Sequence, residues 1–393
     1  MRRWTRALAV SVALACGRGT VETGPFPAGS PWASPERPRL EQDADTNDPQ
    51  AYADLGGAHI ALHPDTAAAA FYWATQLEPW LADAYYARAV ALMRTAWAPR
   101  RSTGAWMPTR RLRPREIAVI DSLNALAYDL DPFVERKFDH LVGAPIGRFI
   151  CHRITDRSAA GLCYLQSRSY QLAVQVLDTA LRFDPKKIEL HYLRALAYYR
   201  LHKPDSAAIA LGVLADSLGR RQEKALTAFY ISRATIYYAQ GVAYTRTGDT
   251  AAAREAYERA LVEDLGFHMA SVRLAGRTLA TGDTASALNH LTHAIGLSPN
   301  DAPLRMYYGV ILAASNRRTE AREQFEKAIE INPNYAQPYL HLGRELEGVD
   351  RARAFASYDA FLLRSPRNDP SRSWVEARAM RLLADTLAPA KTP

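Results

Sequence analysis

The chain has 393 residues, of which 48% are hydrophobic and 23% charged, proportions ordinary for a folded soluble protein. Its formal charge is +8, yet only seven of the 49 basic residues are lysines and 42 are arginines. That bias reflects genomic base composition better than nucleic-acid binding, and no nucleic-acid partner is expected. No run after residue 15 is long and apolar enough to span a membrane.

At the start, Arg2, Arg3 and Arg6 precede an apolar run from Ala7 to Ala15, and Cys16 follows. A basic head, a short apolar run and small residues at a cut make a secretory signal, so residues 1–15 are predicted to be removed. Nine apolar residues as a helix cover only about 14 Å, roughly half a bilayer core. The cut removes three arginines and no acids, leaving a mature charge of +5. Ala13-Leu14-Ala15-Cys16 also resembles the lipobox of bacterial lipoproteins, in which the cysteine after the cut is lipidated. The resemblance implies an exported protein anchored to a bacterial membrane through Cys16, and simple secretion is the alternative. Residues 16–50 carry six prolines and several glycines without helical periodicity, and are expected to form a disordered tether.

Beyond the tether a repeat sets the organisation. Gly161, Ala195, Gly241, Ala275, Gly309 and Gly343 are separated by 34, 46, 34, 34 and 34 residues. Ala173, Ala207, Ala253, Ala287, Ala321 and Ala354 keep step, the last interval one residue short, and Pro185, Pro299 and Pro333 close several units. At the turns, Gly248-Asp249 and Gly282-Asp283 put a left-handed glycine after one helix and a capping aspartate before the next.

This spacing resembles the tetratricopeptide repeat (TPR) family, most fully in Gly309, Leu312, Ala321, Phe325, Ala328 and Pro333. The resemblance implies an all-α fold, a right-handed solenoid of antiparallel helix pairs. Degenerate units are expected over 51–132 and an irregular connector over 133–153. The array proper is expected over 154–368, with a capping helix and tail over 369–393. In that family the first helix of each pair lines a concave face. Carrying the phase across predicts a partner-binding groove of Tyr192, Leu196, Tyr199, Tyr238, Val242, Val272, Leu279, Met306, Val310 and Leu340. These are almost all apolar, which suits an apolar protein or peptide client better than a free carboxylate tail. One alternative makes the strip core, or covers it with the 133–153 stretch.

Two departures from the period complete the reading. A 19-residue insertion falls within 96–115, where Arg100, Arg101, Arg110, Arg111, Arg113 and Arg115 lie among tryptophans with no acid before Glu116. It reads either as a solvated loop or as a site for anionic lipid or glycan. Cys151 and Cys163 form an even pair that an oxidising compartment would join if the chain folds back near Thr155, and a quiet buried thiol at Cys163 is the other reading. His290 and His293 share a helix face but lack a third ligand. No HExxH, Gly-x-Ser-x-Gly, phosphate-loop or Rossmann pattern is present. The expectation is an adaptor without metal, cofactor or enzymatic activity. An anionic-surface binder is the second reading, and an enzyme with a site near 133–153 the third.

Overall fold

The computed structural model describes residues 26–99, 106–134, 138, 141, 156–218 and 232–387. Among them are seventeen helices and one two-stranded sheet. The helices are α1 Pro49–His59, α2 Pro64–Leu77, α3 Ala82–Arg94, α4 Pro114–Leu130, α5 Arg157–Gln166 and α6 Tyr170–Phe183. Then come α7 Ile188–Arg200, α8 Pro204–Ser217, α9 Arg233–Thr247, α10 Thr250–Glu263, α11 His268–Ala280 and α12 Thr284–Leu297. The series ends with α13 Ala302–Ala314, α14 Arg318–Ile331, α15 Gln337–Leu346, α16 Arg351–Arg364 and α17 Arg372–Leu387. The all-α solenoid architecture is as the repeat predicts.

The helices pack in successive pairs, and their short connections make the two members antiparallel. Asp249, Asp283, Asp301 and Asp350 each cap a helix by accepting from a backbone N–H 2.9–3.0 Å away. Gly248 and Gly282 take φ of 82° and 83°, and in the same column Arg168, His202 and Asn316 hold φ of 56–60°. Three turns therefore adopt the left-handed conformation without glycine, which periodicity did not reveal. At two other turns Pro64 and Pro204 open their helices, and Asp65 and Asp205 lie in the first helical turn.

Four of the pairs are fixed by a ring pressed onto a glycine. A β-carbon on Gly309 would lie 2.6 Å from Phe325 Cε1, one on Gly241 2.5 Å from the same atom of Tyr257, and one on Gly343 2.6 Å from that of Tyr358. Gly56 meets Phe71 at 2.7 Å and Gly161 meets Leu177 at 2.5 Å. Where the small residue is alanine, at Ala195 and Ala275, the residue sixteen positions later is the slimmer Leu211 or Leu291. The large residue thus fills space within its own hairpin, at a separation set by the missing side chain.

The described residues divide into two compact units. The first comprises 1–36, 58–69 and 82–270, and the second 37–57, 70–81 and 271–393. In the first, the insertion between α3 and α4 is a hairpin in which β1 Trp97–Pro99 pairs antiparallel with β2 Trp106–Pro108. In the second, α17 packs on the preceding pair: Val375, Ala379 and Leu382 join the cluster built on Phe325, Tyr358 and Phe361. No described helix is long and apolar enough to cross a membrane.

The expected free tether over 16–50 is corrected for its described part. In the first unit Trp32 is buried, Phe26 stacks on it at 5.7 Å, and Arg88 donates to the carbonyls of Pro31 and Ala33. In the second unit Arg37 lies over Tyr52 and Trp73, at 5.3 and 4.8 Å. Asp45 accepts from the Arg367 N–H at 2.5 Å, and Asn47 donates to the Leu363 carbonyl at 2.8 Å. Proline density excludes helix, but it does not exclude docking through aromatic and arginine anchors. Residues 1–25, with the signal and Cys16, lie outside the described residues.

The glycine contact yields a paired prediction. Gly309→Ala should gain about 1 kcal/mol of helix propensity yet destabilise the chain, because Phe325 must move. Gly296→Ala, on α12 with nothing within 4 Å of the new carbon, should stabilise by about 0.5–1 kcal/mol. Thermal melts of both variants against the parent check this. Equal shifts in the same direction would refute the close-approach account.

Candidate functional site

In the first unit the predicted groove residues lie on the first helices of two pairs. Tyr192, Leu196 and Tyr199 share one stripe of α7, while Tyr238 and Val242 lie on α9. The structure brings α7 together with a segment sixty residues earlier. Phe133, 0% exposed, stacks on Tyr199 with ring centroids 3.7 Å apart and planes 10° apart. The Arg246 guanidinium also packs against Tyr199, 4.4 Å from the ring centroid. The Tyr192 hydroxyl donates to the Pro132 carbonyl at 2.8 Å, and the Arg200 guanidinium donates to the Phe133 carbonyl. Tyr238 is fully buried, between Tyr257 at 5.7 Å and Phe267 at 5.1 Å.

Tyr192, Tyr199 and Tyr238 are therefore not an open strip, which corrects the expectation. Their rings are covered by the chain itself, as the alternative reading with the 133–153 stretch allowed. Leu196 and Val242 remain half-buried. Phe133 and Pro132 were missed as site residues. The one available signal was that Pro132 ends a repeat and an aromatic residue follows it.

Acidic groups gather beside this contact. Asp131 ends α4 and accepts from the Phe133 N–H at 2.8 Å, holding the segment in a tight turn. Burial pushes the Asp131 carboxyl up, with Asp83 adding to it, while the Phe133 N–H, Arg200 and Arg246 oppose. Asp129, in the last turn of α4, is raised to about 6 by burial and by the Asp264 charge.

In the second unit Val272 and Leu340 are buried, again as packing residues and not as groove lining. Leu279, Met306 and Val310 stay partly exposed on the first helices α11 and α13, and the last two lean on the Phe325 cluster. At the α15 end, Glu347 accepts from the Tyr358 hydroxyl at 2.5 Å and pairs with Arg378 of the closing helix. His293 is exposed with Nδ1 3.3 Å from the Ser271 hydroxyl, and no described group of His, Cys, Asp and Glu could hold a metal ion.

The arginine-rich insertion is more committed than its composition suggested. Arg110 and Arg113 both pair with the fully buried Glu116, at 2.7 and 2.8 Å. Burial alone would push the Glu116 carboxyl up, but hydrogen bonds from these two arginines outweigh it and hold it low. Arg115 lies 4.7 Å from the Phe26 ring centroid. Arg111 is exposed, and Arg100 and Arg101 lie outside the described residues. Two of the six candidate anion contacts thus serve an internal ion pair. Cys163 is buried and disulfide-bonded, and Cys151, which the sequence offers as its partner, lies outside the described residues.

Comparison with known proteins follows the repeat. Tetratricopeptide-repeat family models match residues 278–344 and 234–261, and a TPR-repeat model matches 161–201. An Hsp70-Hsp90 organizing protein of Triticum aestivum is 32% identical over 91 residues, a match spanning 23% of this chain and only 16% of that protein. Among solved structures, the C-terminal part of a TPR repeat-containing protein from Cytophaga hutchinsonii aligns with a TM-score of 0.45 at 16% identity, over 52% of this chain and 78% of that one. The pilF protein of Pseudomonas aeruginosa aligns with a TM-score of 0.43 at 17% identity, over 58% and 96%.

The acidic cluster predicts a pH dependence. A carboxyl raised in the folded state binds its proton more tightly there than in the unfolded chain. Its burial therefore burdens stability fully above about pH 6 and is relieved as pH falls toward 4. Asp129→Asn should raise stability at pH 7.5 by up to about 3 kcal/mol and change little near pH 4. Denaturant titrations at the two pH values check this, and an equal gain at both would contradict it.

Proposed function

Because the chain is a tetratricopeptide-repeat protein, we propose that it is an adaptor that holds partner proteins against the first helices of its repeats, kept at a bacterial cell envelope by a lipid on Cys16. The observation that carries the binding part is the apolar stripe left partly open in the second unit, Leu279, Met306 and Val310. Partly exposed apolar side chains on the first helices of consecutive pairs offer a partner segment a place to bury its own apolar face. The repeats support a role in protein interaction as a class. The wheat relative is by its name an organizing protein for Hsp70 and Hsp90, but it shares only a short stretch with this chain, so those clients are not carried over. The envelope part of the reading is supported by the basic head, the apolar run and Ala13-Leu14-Ala15-Cys16.

A photo-crosslinking residue placed at Met306 should capture a discrete partner in cells, whereas the same residue at the exposed Glu323 on the second helix α14 should not. Met306→Glu should abolish competition for that partner without lowering the melting temperature by more than a few degrees. Equal capture from both positions, or none from Met306, would sink the groove.

The anchor has its own test. Cys16→Ala should leave the protein unprocessed or release it from the membrane fraction. An unchanged mature mass on the membrane would remove the lipid from the account.

A further inference from the structure

The contact between α7 and the Asp131–Phe133 segment has the chemistry of recognition as well as of packing. A buried main-chain carbonyl must find a donor, and the element that supplies the donor is the one that reads the segment. Here two successive main-chain carbonyls, those of Pro132 and Phe133, are each met by a side-chain donor from α7, the Tyr192 hydroxyl at 2.8 Å and the Arg200 guanidinium. The Phe133 ring lies flat on Tyr199, against which Arg246 also packs. Burial raises the Asp131 carboxyl, and the charges of Arg200 and Arg246 act against that rise. Donors for carbonyls, a flat platform for a ring and cations for an acid are the parts by which a groove reads an extended peptide. Tyr192 and Tyr199 stand at positions where the repeat's phase places partner contacts, and Arg200 and Arg246 flank them.

From this juxtaposition we propose that the α7 face with Arg246 of α9 is a peptide-reading site for a partner segment bearing an acid, a proline and an aromatic residue in extended conformation, and that the chain's own Asp131-Pro132-Phe133 fills it in the unbound state. The inference rests on the adaptor reading and names the partner chemistry of a second place in the same array. The internal segment is covalently attached, so it competes at a high effective concentration. A partner gains access only in the fraction of molecules whose segment is out, and its apparent affinity falls by that fraction.

The test uses a labelled synthetic peptide with the sequence of residues 129–135, Asp-Leu-Asp-Pro-Phe-Val-Glu, and the full chain, followed by fluorescence anisotropy. The parent should bind weakly. Phe133→Ala should bind at least about tenfold more tightly, as expected if the internal segment fills the site nine-tenths of the time. The gain should vanish in Phe133→Ala combined with Tyr199→Ala, and with a peptide carrying alanine in place of its phenylalanine. Phe133→Leu keeps an apolar side chain in the site and decides the matter if the alanine variant does not fold. Folded variants that bind no better than the parent overturn the proposal. So does a gain that persists with the alanine peptide. Unfolding of both variants makes Phe133 a core residue and overturns it as well. Capture at Met306 together with failure of the peptide would leave the adaptor reading intact and remove this inference alone.

Discussion

Most hairpins of this array depend on an atom that is not there. Gly56, Gly241, Gly309 and Gly343 leave out the β-carbon that would collide with a ring from the partner helix, so two helical backbones approach more closely than side chains ordinarily permit. The glycine gives up helix propensity, and the ring recovers more by burying its whole face: Tyr257, Tyr358 and Phe325 are at most 1% exposed. Pairs with alanine on the first helix take leucine on the second, so contact volume is kept while the chemistry changes. Gly161 with Leu177 departs from that exchange and is the one such pair without a ring.

Because this contact recurs at a fixed phase, it was the part of the molecule easiest to read in advance. A period of 34 residues names the helices, their pairing and the face each presents, and the closing helix at 372–387 follows from it. What the period cannot carry is the position of anything that occurs once. Tyr192 and Tyr199 share one stripe of α7, yet what covers that stripe comes from Pro132, the last residue of a degenerate unit, and from Phe133 in the aperiodic connector. Periodicity predicts direction, and occupancy depends on the aperiodic connectors.

The same limit explains the other surprises. Composition made residues 16–50 look like a tether, because proline and glycine remove helical signal while saying nothing of anchors such as Trp32 and Arg37. Composition likewise made the arginine insertion look uncompensated, because a single carboxylate is easily overlooked beside six arginines. Glu116 is buried and takes up two of them. One buried acid can outweigh a statistical excess of bases, since its position rather than its number sets the local field.

A stack of repeats in which each touches only its neighbours ordinarily loosens from its ends, one repeat at a time. In the second unit that route is blocked at one end. Asp45 and Asn47 bond main-chain groups of Leu363 and Arg367, across more than three hundred residues of intervening chain. Asn332 holds the carbonyl of Gln76 in the same manner, at 2.8 Å. The α16 region is thus flanked by α17 on one side and by the first stretch of chain in that unit on the other. A pulling force applied at residue 37 would load these few hydrogen bonds directly, without first travelling through the helices in order. The unit should then yield in one cooperative step and not by serial peeling.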